Sequence, residues 1–219
     1  MIILLTKKLK LGNMNKIFIE AESKKTSEYY FLEAIIRKFF PAIEVQFIFM
    51  KGVDNLFNQP ILNEIKKANI EGSQILVLVD ADSEEKKWGY KRRKDWIEGG
   101  MKEHDVSFPY FIYPNNQNDG LVETLMEAAA LYAPNKVFFD CYTDYETCLK
   151  NSKYNIPSLK GKVYAYAEAQ TIYDIQKGER IPLINKINSG DWLFDNPDYW
   201  NLDVENLQPL KDFFKQYLK

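Results

Sequence analysis

Short apolar runs alternate with amphipathic stretches through the first two thirds of the chain. The apolar runs predict four strands, at residues 16–20, 43–50, 73–82 and 108–114. Stretches with helical spacing of apolar residues follow them, at residues 27–40, 55–69, 84–104 and 121–133. Ser27 is the expected cap of the first helix, and Pro41 is expected to end it. A chain that alternates strand and helix in this way predicts a parallel sheet with helices packed against it.

The strand at 73–82 is the most distinct of the four. Residues 75–79 are all apolar and mostly β-branched, as expected of a parallel strand covered on both faces. We therefore predict an α/β fold with a Rossmann-like, mostly parallel sheet flanked by helices in a domain at residues 15–133. Residues 134–219 are predicted to be a mainly helical C-terminal extension packed on that domain, with helices at 136–151, 160–178 and 207–219.

Charge narrows the choice of partners. The chain has 29 Lys plus Arg and 31 Asp plus Glu among its 219 residues, so it lacks the strongly basic balance of an obligate nucleic-acid binder. A local basic run at residues 86–94 contains Lys91, Arg92 and Arg93, which are the candidate contacts to a nucleic acid. The alternative is that this run forms a solvated helix face.

Residue types that are rare in this chain exclude several kinds of site. His104 is the single histidine, so a metal site made of several histidines is excluded. Cys141 and Cys148 form no disulfide framework or zinc pattern, and we expect them to be buried free thiols in a cytoplasmic protein. No apolar run approaches the roughly 20 residues that span a bilayer. Met14 directly precedes the first strand, so residues 1–13 are expected to contribute little to the fold.

Acidic residues end two of the predicted strands. Glu20 closes the first strand, and Asp80 and Asp82 close the third. In open parallel sheets, ligands bind beyond the carboxyl ends of the strands. Alternation along an extended chain predicts that Asp80 and Asp82 point the same way. Mg²⁺ is commonly held by one or two carboxylates together with water and substrate phosphate, so these acids are candidate ligands.

The segments IFIEAES and LVLVDADSE resemble the signature of the TOPRIM domain, in which one apolar strand ends in Glu and a later one ends in Asp-x-Asp. The segment PNNQNDGLVETLMEAA further resembles a stand-alone bacterial branch of TOPRIM-like proteins, related to the overcoming-lysogenization-defect type nucleases. The resemblance covers residues 15–133 by motif. It implies a TOPRIM-like α/β fold and a metal-dependent site.

The resemblance assigns roles to individual residues. It implies that Glu20 is the catalytic glutamate and also assists the metal, and that Asp80 and Asp82 bind Mg²⁺ or Mn²⁺. Glu123 and Glu84 are candidates for additional acidic members. The chain departs from the family pattern at Ala21, where glycine is usual, and at an apparent insertion, KKTS, that precedes Glu28. Glu28 is the candidate for the acid that begins the family's first helix.

Two classes of function fit these features, and a structural explanation stands beside them. The first is a Mg²⁺-dependent enzyme that cleaves phosphodiesters, a small nuclease with nucleic acid as its partner. The second is a non-catalytic module that binds metal or nucleotide and acts in regulation or phage defence, with a protein partner or as a homo-oligomer. In the structural explanation, the acids at the strand ends only cap helices. A basic groove beside Asp80 would favour the nuclease.

Overall fold

A computed structural model describes residues 14–188 and 192–219. Four parallel strands form the main sheet: β1 (Asn15–Ile19), β2 (Val45–Phe49), β3 (Gln74–Asp80) and β4 (Tyr110–Tyr113). Their order across the sheet is β2-β1-β3-β4. The predicted α/β class with a parallel sheet is therefore confirmed. The expectation that residues 1–13 contribute little falls outside the described residues.

Each strand is followed by a helix, as parallel pairing requires. These helices are α1 (Ser27–Phe39), α2 (Gln59–Ile70), α3 (Tyr90–Glu103) and α4 (Val122–Ala129). The chain continues through α5 (Lys136–Lys150), α6 (Leu159–Ala169), β5 (Thr171–Asp174), β6 (Glu179–Pro182), α7 (Ile184–Asn188) and α8 (Gln208–Tyr217). Short 3₁₀ turns lie at Val53–Asn55, Glu84–Lys86, Ala133–Asn135 and Glu205–Leu207.

The sheet separates two apolar cores, because successive side chains of a strand point to opposite faces. Leu76 and Leu78 of β3 pack on one face with α1, α4, α6 and α8, whereas Val77 and Val79 pack on the other face with α2 and α3. The first core contains buried aromatic rings from the C-terminal part of the chain, including Trp200. Residues of 134–219 thus share a core with the sheet.

The structure corrects the predicted start of α3 and end of α6. The helix predicted at 84–104 begins as a 3₁₀ turn, and α3 starts only at Tyr90, because Lys87 (φ 64°) and Gly89 (φ 110°) have left-handed backbone conformations. The helix predicted at 160–178 ends at Ala169, and the chain then forms the β5-β6 hairpin. β-branched and aromatic residues in TIYD favour a strand over a longer helix.

Smaller corrections concern a helix cap and the two cysteines. Thr26, not Ser27, caps α1, and its Oγ1 accepts a hydrogen bond from the Tyr29 N–H. Cys141 and Cys148 are free thiols as predicted, but they are exposed and not buried. They lie on α5, of which Phe139 is the one buried residue, so most of this helix faces solvent. None of the helices in the described ranges combines the length and apolar character that crossing a bilayer demands.

Candidate functional site at the carboxyl edge of the sheet

Glu20 and Asp80 meet at the carboxyl edge, where β1 and β3 end side by side. Glu20 Oε1 accepts a hydrogen bond of 2.6 Å from the Asp80 backbone N–H. Asp80 Oδ1 in turn accepts one of 2.8 Å from the N–H of Val122, the first residue of α4. The predicted convergence of these two acids is therefore seen. Asp80 also accepts a hydrogen bond from one of the free backbone N–H groups at the start of α4, as a helix-capping side chain does.

Two further acids, Glu28 and Glu123, are buried at the same edge. Glu28 lies in the first turn of α1 and is 8% exposed, and its Oε2 accepts a hydrogen bond of 2.9 Å from the Ala21 N–H. Glu123 lies in the first turn of α4 and is 9% exposed. The positive ends of the helix dipoles favour acids in these turns. Together with Glu20 and Asp80 they form what we call the carboxyl cluster.

The carboxyl cluster has unfavourable electrostatics when all of its members are ionised. Burial raises the pKa of Glu20 to about 7, and the charge of Asp82 acts in the same direction. Burial raises the pKa of Glu28 to about 8, with further contributions from Glu20 and Glu123. Burial and the charges of the other three members hold the pKa of Asp80 well above its usual range. The cluster therefore favours binding of protons or of a cation.

Tyr113, the last residue of β4, lies against the cluster. Its ring is fully buried, and its hydroxyl has no hydrogen-bond partner among the described residues. Burial raises the pKa of this phenol far above its usual value, and the charges of Glu28, Asp80, Glu20 and Glu123 add to the effect. The charges of the carboxyl cluster thus act on a buried hydroxyl group supplied by β4.

Asp82 is ion-paired with two basic residues, Lys86 and Arg93. Its backbone φ of 61° breaks the extended conformation on which the alternation argument depended, so that argument is wrong for this residue. Asp82 Oδ1 lies 3.0 Å from Lys86 Nζ, and Oδ2 lies 3.0 Å from a guanidinium nitrogen of Arg93. The site therefore contains an internal cation that neutralises the second aspartate of the motif.

Arg93 is 1% exposed, so it does not lie on the solvated face where a nucleic-acid contact was predicted. Its Nε donates to the Asp80 carbonyl oxygen at 3.0 Å, and its guanidinium stacks 4.0 Å above the centre of the Trp88 ring. Its remaining terminal nitrogen has no hydrogen-bond partner in the part of the chain that the structure describes. These contacts fix the loop that connects β3 to α3.

A second loop closes the edge from the side of β4. The backbones of Asp82 and Gly120 exchange two hydrogen bonds of 3.0 Å. Asp119 Oδ1 accepts a hydrogen bond of 2.7 Å from the Tyr90 N–H and so satisfies the start of α3. Gly89 has φ 110°, and a Cβ there would lie 2.9 Å from Asp119 Oδ1, so glycine is required for this close approach. The β3 and β4 loops thus form one connected rim.

The remaining predicted residues are exposed and lie outside the carboxyl cluster. Lys91 and Arg92 are exposed at the start of α3, and Arg92 donates a hydrogen bond to the Lys87 carbonyl oxygen. Glu84 is exposed in the 3₁₀ turn that follows β3. The structure therefore brings together Glu20, Asp80 and Glu123 of the predicted acids. It places Asp82 beside them in an ion pair.

The carboxylate oxygens of the cluster suit a hard cation, but their arrangement limits how many of them can bind it directly. Carboxylate oxygens are the ligands that Mg²⁺ prefers, and one oxygen of the buried Glu28 lacks a hydrogen-bond partner among the described residues. Over residues 14–188 and 192–219, no three His, Cys, Asp or Glu side chains converge on a point that could hold a metal ion. A cation in this arrangement would take at most two carboxylates directly, which is common for Mg²⁺ because it keeps several of its waters.

Sequence reasoning gave no place in the site to Tyr113, noted Glu28 only as a possible helix-start acid, and placed Arg93 on the wrong surface. Glu28 had a usable signal, since it follows a capping Thr at the start of an otherwise apolar helix face. The sequence around Tyr113 is an ordinary apolar strand and carries no such signal. Arg93 lies among five other basic residues in a short run, so its inward direction was not distinguishable from the exposure of its neighbours.

The fold and site define an α/β protein with a four-stranded parallel sheet and an acidic site at its carboxyl edge. The family described as "Protein of unknown function (DUF3226)" matches residues 14–219, and the chain belongs to this family. No curated protein and no solved structure matches the chain at a significant level.

Proposed function

We propose that this protein is a Mg²⁺- or Mn²⁺-dependent enzyme that cleaves phosphodiesters, acting as a small nuclease. The observation that carries the proposal is the carboxyl cluster, in which Glu20, Glu28, Asp80 and Glu123 share one edge of the sheet. The charges of Glu20 and Glu123 there add to burial in raising the pKa values of Glu28 and Asp80. Buried acids with raised pKa values cluster at functional sites, where a bound ligand can relieve their repulsion. The TOPRIM resemblance of the strand ends supports the same chemistry.

In this proposal the protein's own residues position and move protons. A bound divalent cation would polarise a phosphoryl oxygen and lower the pKa of a water molecule. Glu20 would exchange a proton with the reacting groups, because a pKa of about 7 suits a general acid or base near neutral pH. Asp80 would contact the cation directly, and Glu28 would contact it through one of its bound waters. Arg93 and Lys86 hold Asp82 and so keep the β3 loop in place.

Substrate binding is proposed to involve the basic residues at the start of α3. Lys91 and Arg92 are exposed there, close in sequence to the ion-paired Lys86 and Arg93. Exposed cations attract the phosphate backbone of nucleic acids without selecting a sequence. The near-neutral total charge of -2 restricts this attraction to a local patch.

The test is a degradation assay on plasmid DNA and on RNA with Mg²⁺, Mn²⁺ or chelator. The wild type is expected to cut at least one substrate only when a divalent ion is present. Glu20→Gln keeps an oxygen that can accept the Asp80 N–H, and it should lose at least about 100-fold in rate, as expected for a residue that transfers a proton. Glu22→Gln, an exposed neighbour, should retain full activity. Equal activity in wild type and Glu20→Gln would reject the proposal.

A non-catalytic metal- or nucleotide-binding module is the second candidate. It is favoured by the contacts of the Asp-x-Asp motif, because Asp82 is paired with two basic residues and Asp80 Oδ1 accepts a helix N–H. Thermal unfolding with added nucleotides and divalent ions separates the two candidates. Stabilisation by ligand without turnover of DNA, RNA or nucleotide would support the module.

A further inference from the structure

Two buried polar atoms beside the carboxyl cluster have no hydrogen-bond partner among the described residues. They are the hydroxyl of Tyr113 and Oε1 of Glu28. Buried polar atoms in native proteins nearly always have a partner, either in the protein or in an ordered water. A phenol can donate a hydrogen bond and a carboxyl oxygen can accept one, so the two atoms have complementary requirements.

The fold brings these two residues to the same edge of the sheet. Tyr113 pairs with Asp80 in the register of β3 and β4, and adjacent paired residues present their side chains on the same face of a sheet. Among the charges that act on the Tyr113 phenol, that of Glu28 has the largest effect, ahead of those of Asp80, Glu20 and Glu123. Tyr113 therefore lies on the same face of the sheet as Asp80, and Glu28 is the acid whose charge acts most strongly on its hydroxyl.

The other carboxyl oxygen of Glu28 already has a hydrogen-bond partner. Its Oε2 accepts the Ala21 N–H at 2.9 Å, which orients the carboxyl group and leaves Oε1 directed elsewhere. Tyr113 is fixed by its own packing, because its ring meets that of Phe111 edge to face with centroids 5.7 Å apart. Neither side chain is thus free to turn toward solvent and satisfy its polar atom there.

We propose that the Tyr113 hydroxyl and Glu28 Oε1 form an internal seat for one water oxygen, and that this water belongs to the hydration shell of a divalent cation bound at the carboxyl cluster. Tyr113 is then a positioning residue, which acts on the cation through the water. A buried water typically makes about three hydrogen bonds, and carboxylates of the cluster would supply the others. The inference rests on cation binding at the cluster, which is part of the proposed function.

The experiment measures Mn²⁺ affinity by calorimetry and by electron paramagnetic resonance, together with thermal unfolding in chelator. Tyr113→Phe removes only the hydroxyl and should weaken Mn²⁺ binding about tenfold or more, as the loss of an outer-shell partner does. Tyr110→Phe is the matched control, since that hydroxyl bonds Glu98 at the other end of β4, and it should bind Mn²⁺ like the wild type. In chelator, the seat predicts that Tyr113→Phe lowers Tm by several degrees.

The outcomes separate this inference from the proposed function. Equal Mn²⁺ affinity of wild type and Tyr113→Phe overturns the seat and leaves the nuclease proposal standing. Absence of Mn²⁺ binding by the wild type overturns both. Binding that depends on Tyr113 without any hydrolysis supports the seat and rejects the nuclease. A Tm in chelator that is unchanged or higher in Tyr113→Phe also overturns the seat, because it indicates that no water is bound to the Tyr113 hydroxyl. If Tyr113→Phe does not fold, Glu28→Gln tests the contribution of Glu28 to the same water site by the same Mn²⁺ affinity measurement.

Discussion

Glu20 Oε1 accepts a 2.6 Å hydrogen bond from the backbone N–H of Asp80, so the acids that end β1 and β3 are joined through the main chain. This contact holds the Glu20 carboxyl group beside Asp80 at the edge of the sheet. It also makes the position of Glu20 depend on the backbone of β3. A substitution that preserves this contact, such as Glu20→Gln, can therefore separate chemistry from folding.

Asp80→Asn should leave the chelator-treated protein as stable as the wild type or more stable. The amide oxygen can still accept the Val122 N–H, and the change removes one charge from a cluster whose members repel one another. Any stabilisation by Mg²⁺ or Mn²⁺ should disappear. Thermal unfolding with chelator and with millimolar metal measures both effects.

Asp80→Ala is the control for that substitution, because it also removes the cap and should cost about 1 kcal/mol. A loss of several kcal/mol in Asp80→Asn, with no response of either protein to metal, would show that Asp80 serves only as a structural cap of α4.

Wild-type stability in chelator should fall as the pH rises from about 5 to about 9. The pKa of Glu28 is raised from 4.5 to about 8 in the folded protein, so the folded state binds a proton that the unfolded state releases. The contribution of Glu28 is thus fully present below pH 4.5 and is lost as the pH passes through 8. Glu28→Gln mimics the protonated form and should flatten this dependence.

The difference in free energy of unfolding between Glu28→Gln and the wild type isolates the contribution of Glu28 from those of the other titrating groups. It should grow with pH and reach on the order of a few kcal/mol near pH 9 in urea unfolding, given about 1.4 kcal/mol for each unit of pKa shift. A difference that is the same at pH 5 and pH 9 would mean that Glu28 is ionised in the folded protein throughout this range.

Arg93→Met should destabilise the protein by about 3 kcal/mol, because it leaves Asp82 without its buried partner and breaks the contact to the Asp80 carbonyl. Lys86→Met removes the exposed partner of the same carboxylate and should cost less than about 1 kcal/mol. Urea unfolding of both variants, each also combined with Asp82→Asn, measures the coupling. Equal effects of the two single changes would contradict the view that Arg93 is the internal cation of the site.

Gly100→Ala should destabilise the protein by about 1–3 kcal/mol, the usual cost of overpacking. A Cβ at this position of α3 would overlap the ring of Phe57, which is held edge to face against Trp96. Gly99→Ala, one residue earlier, meets no atom within 4 Å and should be neutral or stabilise the helix by up to about 1 kcal/mol. Thermal unfolding of the pair provides the comparison, and a reversed order would disprove the close approach of Phe57 to α3.

The sequence by itself determined the strands, the parallel sheet and the edge at which the acids lie. The apolar run of β3 predicted a strand covered on both faces, and strand–helix alternation then predicted parallel pairing, which places Glu20 and Asp80 at the same edge. These conclusions depend on the spacing of apolar residues and on the order of strands and helices along the chain. Both are properties of the linear sequence.

Only the tertiary structure decided how the site is arranged. The left-handed backbone at Asp82 turns that carboxylate toward Arg93, and this depends on how the β3 loop packs against α3 and Gly120. Tyr113 entered the site because its strand pairs with β3 in one particular register, and Glu28 because α1 begins beside Ala21. Such contacts join residues far apart in the chain through loop conformation and packing, which hydrophobic periodicity does not encode.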